Sequence, residues 1–287
     1  MYKNKKLLLT GLALLIIPLW FLRLFDDEIL YWNMARRFGE LLLPRSSLAF
    51  LIASPLIKFS PDLYLQIMLP RLLTAIITIA CSLLIYRISK EFYGERSALI
   101  STILFLFSFN TLRFGARYNL EPYGLFFILL GLYFFIRDRV TLSGVSVALA
   151  FAAREMWLIF YPFYLIYLWK SKKGSFFRVF LISTIIIAGN LAWIHLLKTG
   201  WRPITESATE YLMNQNLKLI TLIARDWAES LIAHFFTILG FIYGIYKNKN
   251  RDFLLLTLPP LLTLNLIPGF ILNGPFERYF LGPQALL

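Results

Sequence analysis

LLLTGLALLIIPLWFLRLFDDEILYWNMARR, residues 7–37, decides the fold. An apolar run, Leu7–Leu22, is followed almost at once by three consecutive carboxylates, Asp26, Asp27 and Glu28. That order sets the acids at a membrane edge, where desolvation makes charge costly and ionisable side chains are candidates for function. On a helix, Asp27, Tyr31 and Met34 share one face, and Glu28, Trp32 and Ala35 share the next. The competing interpretation is a solvated acidic cap in the first external loop. The rest of the chain weighs against it.

Of 287 residues, 59% are hydrophobic and 16% charged, with a mean hydropathy of +0.67. Soluble domains are about half apolar and about a quarter charged, so this chain calls for a different solvent. Long apolar runs make that solvent a bilayer, and the need to satisfy every backbone polar group makes the spanning units helices. The expected fold is an all-α polytopic bundle forming a single integral membrane domain over residues 1–287, with no separate soluble domain. The net charge of +13 does not point to nucleic acid, because the basic residues sit in short connections rather than in one patch. Cys81 is the single cysteine and lies in an apolar run, which rules out an intrachain disulfide. MYKNKK followed by an apolar core without a small-x-small cleavage pattern reads as an uncleaved signal-anchor helix.

Apolar segments fall near residues 7–22, 69–88, 97–112, 120–136, 142–153, 156–169, 176–197, 230–246 and 253–271, giving about nine spans. Arg154-Glu155 separates two of them, which form either a short hairpin or one broken span. One set of connections carries 15 basic residues against 4 acids, including Arg87, Lys90, Arg96, Arg137, Arg139, Lys170, Lys172 and Lys173. The other set holds the remaining 14 basic and 12 acidic residues. The basic set is therefore expected in the cytoplasm with the N-terminus, and loops 23–68 and 198–229 outside. In the first loop, SSLAFLIASPLIKF (46–59) is too short and too interrupted by Pro55 to span, which suits interfacial helices.

The outer face then combines carboxylates with arginines near span ends: Arg71, Arg113, Arg117, Arg154 and Arg278. A lone arginine there commonly snorkels to headgroups. Several together with an acidic cluster fit a cavity for an anionic lipid headgroup, since guanidinium binds phosphate bidentately. A polyprenyl-phosphate sugar carries its own leaving group. Displacement at its anomeric carbon needs one carboxylate to take the acceptor's proton and cations to hold the departing phosphate.

Asp27-Glu28-x-x-Tyr31-x-x-x-Ala35-Arg36, after a first membrane helix, resembles the Asp-Glu motif of GT-C glycosyltransferases. The branch it looks most like is that of the protein O-mannosyltransferases and lipid A aminoarabinose transferases. Pro70-Arg71-Leu72, Tyr93-Gly94, Asn119-Leu120-Glu121-Pro122 and Arg278-Tyr279-Phe280-Leu281 keep the family's order. The resemblance implies an inverting sugar transfer from a dolichyl- or undecaprenyl-phosphate donor, outside the cell membrane, to a protein, lipid or glycan acceptor. It makes Asp27 the general base, and Glu28 either its orienting neighbour or a metal ligand. Arg278 and Tyr279 would lie near the donor phosphate with Arg117, Arg113 and Arg154, supported by Tyr31, Glu121 and Arg71. No cofactor is required, although Asp26, Asp27 and Glu28 could hold a divalent cation. Glu121 is equally well placed to pair with Arg117 one helical turn earlier. His195 and His234 are read as interfacial or interhelical hydrogen-bonding groups. Family members are commonly longer, with more spans and often a soluble outer domain. A lipid or small-molecule transporter, or a noncatalytic membrane subunit, are the competing classes. Against the transporter, charges gather at span ends and the two halves show no symmetry.

Overall fold

The structure, a computed structural model, describes residues 26–37, 48–107, 111, 115–154, 157–158 and 160–196. Among these, all extended elements are α-helices and no strand occurs. The described residues up to Trp157, together with those from Phe177 to Leu196, form one compact unit, and Leu158–Phe176 belong to a second.

In the first unit, α1 (Asp26–Arg36) and α2 (Leu48–Lys58) pack against each other, and α2 also packs on the helical stretch that begins at Leu63. The buried stripe of α1 is Glu28, Tyr31 and Ala35, which takes members from both faces expected from the sequence. Along α2, Ala49, Phe50, Ala53, Ser54 and Ile57 turn inward at helical spacing, while Leu51 stays exposed. Pro55 lies inside α2 and its carbonyl accepts the Phe59 N–H at 3.0 Å. The helix anticipated at 46–59 is thus present, with one face built into the protein.

The stretch α3 (Leu63–Leu106) is helical on both sides of Gly94, which has φ 82° and ψ 177°. Asp62 caps its start by accepting the Leu65 N–H at 2.8 Å. A straight helix would put Ala75 and Leu106 about 46 Å apart. Instead both belong to one buried cluster with Ala116. The Tyr86 hydroxyl also reaches Glu95 Oε1 at 3.3 Å, across the glycine. The chain therefore doubles back at Gly94, and α3 is a hairpin whose limbs carry the apolar segment 69–88 and the part of segment 97–112 up to Leu106.

Next, α4 (Glu121–Ile136) and α5 (Val140–Ala153) form a second hairpin, turned at Asp138 with φ 59°. Small residues let the two approach. The Ser143 hydroxyl donates to the Gly131 carbonyl at 2.7 Å, and a Cβ on Gly131 would lie 2.8 Å from Val147 Cγ2. The two hairpins meet at one end, where Arg137 Nη2 lies 2.5 Å from Glu91 Oε1 and Arg87 and Arg137 both cover the Tyr133 ring. Two basic connections assigned to the same side from sequence are thus neighbours. Glu28, Arg71, Glu121 and Arg154 occupy the opposite end, since residues 71 and 87 are about 24 Å apart along a helix, as are 121 and 137.

Helix α5 ends at Arg154, whose backbone is extended (φ −155°, ψ 115°), so it is separate from the helix that starts at Phe160. In the second unit, α6 (Phe160–Ser171) comes next; α7 (Lys173–Leu196) begins there and continues into the first. Along α7, Val179, Ser183 and Ile187 form a buried stripe, while Phe177, Leu181 and Ile185 are exposed. By length and composition, Leu63–Leu106 and Lys173–Ala192 could cross a membrane, and α2, α4 and α5 are shorter apolar helices. The expected spans at 7–22, 230–246 and 253–271 lie outside the described residues, as do loop 198–229 and His234, so the count of nine stands as an expectation.

Candidate functional site

At the acidic end of the first unit, Glu28 is buried at the start of α1. Arg71, buried in the first turns of α3, donates to it through both arms of its guanidinium: Nε to Oε1 at 2.6 Å and Nη2 to Oε2 at 2.7 Å. The backbone N–H of Tyr118 adds a third bond, to Oε1 at 3.2 Å. Three segments distant in sequence thus converge on one carboxylate. A bidentate arginine matches a carboxylate in plane and charge, and burial strengthens each bond because water does not compete.

The local sequence explains why Arg71 can sit there. Arg71, Thr74, Thr78 and Ser82 form a polar row at helical spacing within an apolar limb, and all four are buried. The Thr74 hydroxyl bonds the Pro70 carbonyl at 2.8 Å and lies 3.5 Å from the Tyr123 hydroxyl. The Thr78 hydroxyl donates to the Gly115 carbonyl at 2.6 Å, tying the loop that carries Tyr118. Burial, with Tyr123 and Tyr31 alongside, pushes the Tyr118 phenol well above the ordinary tyrosine value. It therefore remains a neutral hydroxyl, and it has no hydrogen-bond partner among the described residues.

A second buried pair stands beside the first. Glu121 at the first turn of α4 faces Arg154 Nη2 at 3.1 Å, with both side chains almost fully enclosed. Trp157 follows this pair: its N–H bonds the Arg154 carbonyl at 3.1 Å, and its indole lies on Gly124 so closely that a Cβ there would collide with the ring. Arg117, next to Tyr118 in the chain, is buried as well.

Several anticipated site residues therefore come together: Glu28 with Arg71, Glu121 with Arg154, and Tyr31 in the core around them. Arg71 does not snorkel. The side chains of Asp26 and Asp27, and residues Arg113, Arg278 and Tyr279, lie outside the described residues. Among the described residues no group of three histidine, cysteine or acidic side chains could hold a metal. The Glu28 oxygens are already occupied by Arg71 and Tyr118. Sequence reasoning missed the Tyr118 N–H, the threonine row and Trp157. The row was there to be found, as polar residues repeating at helical spacing inside an apolar segment.

The family model of dolichyl-phosphate-mannose-protein mannosyltransferases matches residues 41–193, more than half of the chain. The chain belongs to this family. The matched residues carry Arg71, Arg117, Glu121 and Arg154, while Glu28 lies before them and joins through Arg71. An uncharacterized protein of Aquifex aeolicus (strain VF5) is 26% identical over 290 residues, covering 90% of this mannosyltransferase-family chain. The chain spans 66% of that relative's length. No solved structure matches.

Proposed function

We propose that this mannosyltransferase-family chain is a membrane glycosyltransferase that moves a sugar, with inversion, from a polyprenyl-phosphate carrier to an acceptor hydroxyl on the extracytoplasmic face. The observation that carries the reading is the clamp on the first residues of α1. Glu28 is fixed by Arg71 and the Tyr118 N–H, and the adjoining Asp27 lies in the first turn of the same helix, whose position is thereby set. A carboxylate doing general-base work must stay within hydrogen-bond reach of the proton it removes, and a clamped neighbour supports that.

In this reading the acceptor oxygen attacks the anomeric carbon as Asp27 takes its proton. The bond from that carbon to the phosphate oxygen breaks, and its electron pair leaves with the lipid phosphate. A phosphate already ionised needs no protonation, so cations rather than a second acid assist departure. Arg278 and Tyr279, with Arg113 and Arg117, are assigned to that phosphate. Glu28 is assigned to positioning rather than to a metal, because both its oxygens are engaged. Glu121 is assigned to holding Arg154, which lies 3.1 Å away, at the edge of the same site. The acceptor is a hydroxyl of protein, lipid or glycan.

The test is incubation of purified protein with a panel of polyprenyl-phosphate sugars and acceptors, read by mass spectrometry. A glycosylated acceptor plus free polyprenyl phosphate is expected from the unsubstituted chain. The Asp27→Asn protein should lose at least about a thousandfold in turnover while keeping donor binding, as loss of a base without loss of binding requires. Near-normal turnover in Asp27→Asn would remove the base from Asp27. Absence of product with every donor, alongside flux of labelled lipid across vesicles, would favour a transporter.

A further inference from the structure

We propose that the turn joining α6 to α7, built from Trp169, Lys170, Lys172 and Lys173, docks onto a layer of anionic phospholipid headgroups. Three observations on this turn agree.

The first is the order of side chains along α6. Phe160, Tyr164 and Leu168 are buried at spacing i, i+4, i+8, whereas Pro162, Ile166 and Trp169 are exposed along another face. That exposed face passes from aliphatic Ile166 to indole Trp169 and then to the lysines. Hydrocarbon, aromatic belt and headgroup charge succeed one another in the same order through a leaflet edge. Ile166 and Trp169 are 52% and 53% exposed, which leaves this face open to lipid.

The second is charge. Lys170, Lys172 and Lys173 fall within four positions, and residues 156–205 contain no aspartate or glutamate. The α6–α7 turn thus presents three clustered lysines within an acid-free stretch of sequence. Such a cluster is attracted to acidic lipid and only weakly to zwitterionic lipid.

The third is that the turn is ordered. The Lys172 N–H bonds the Leu168 carbonyl at 2.8 Å, and the Ser175 N–H bonds the Lys172 carbonyl at 3.0 Å. Trp169 is held edge-on to Phe176 with centroids 4.9 Å apart, and Lys173 Nζ lies 6.0 Å from the Trp169 ring centre. The aromatic ring and ammonium group are pre-placed together, so docking sacrifices little side-chain freedom.

The test places a cysteine at exposed Ser171 in the full chain and labels it with a bimane fluorophore; native Cys81 is buried and does not react. Vesicles contain equal phosphatidylglycerol and phosphatidylcholine, with one or the other brominated to quench nearby dye. Brominated phosphatidylglycerol should quench more strongly, with a local enrichment of about tenfold or more that salt reduces. Enrichment should vanish in Lys170→Gln/Lys172→Gln/Lys173→Gln. Should that protein fail to fold, Lys170→Gln and Lys173→Gln singly, both at exposed positions, should each lower enrichment about fivefold. Equal quenching by both lipids in the unsubstituted chain would overturn the proposal, as would enrichment indifferent to the lysines. Displacement of the lipid by inorganic phosphate would also overturn it, since a free-anion pocket is not a leaflet. No sugar transfer is measured, so the result stands apart from the catalytic reading.

Discussion

Glu28 and Arg71 show how one residue's role depends on its partner rather than its type. An acid beside the proposed base resembles a second catalytic group, yet bidentate pairing under full burial makes Glu28 a fastening. Removing one member strands the other. Arg71→Met should cost about 3–5 kcal/mol, because a carboxylate stays in a water-poor site without its counterion. Replacing both, Glu28→Met with Arg71→Met, should recover most of that loss in thermal unfolding in detergent, since an apolar pair needs no desolvation compensation. Turnover should remain depressed in the double variant even as stability returns. Equal destabilisation by single and double variants would show that the pair is not coupled.

Among the elements, glycines govern how the hairpins close, for two different reasons. Gly94 has open space around it, so Gly94→Ala meets no neighbour; its cost is conformational, because φ 82° with ψ 177° belongs almost solely to glycine. A loss of about 1–3 kcal/mol is expected, measured as a lowered unfolding midpoint. At Gly124 the backbone is ordinary helix and the obstacle is the Trp157 indole. Gly124→Ala should therefore expel the indole and destabilise by about 1–3 kcal/mol. Adding Trp157→Ala should remove most of the alanine's effect, leaving only the Arg154 Cβ, 3.2 Å from the added methyl, to give way. A double-mutant cycle on the same unfolding midpoints distinguishes collision from lost flexibility.

For the molecule as a whole, the proposed sidedness is open to direct labelling. Phe59, 87% exposed, lies on the chain between α2 and α3, near the acidic end; Arg139 lies in the α4–α5 turn at the basic end. In intact cells an impermeant maleimide should label Phe59→Cys without permeabilisation and Arg139→Cys only after it. The reverse pattern would invert the topology and move the proposed site into the cytoplasm.

Composition and apolar runs pointed to helices in a bilayer, because burying backbone away from water leaves few alternatives, and every extended element among the described residues is a helix. The break between segments 69–88 and 97–112 was legible too, since charge and Gly94 interrupt the apolar pattern there. Helix lengths were harder: α4 and α5 are shorter than the roughly 20 residues of an upright span, and hydropathy averages over helix ends. The acid at position 28 was visible from the start. Its partner was not, because a local pattern cannot say which of several arginines, from limbs far apart in the chain, a buried carboxylate will meet. That choice, and the separate choice of Arg154 for Glu121, was made by how the hairpins pack, since only packing sets which charges lose their water together.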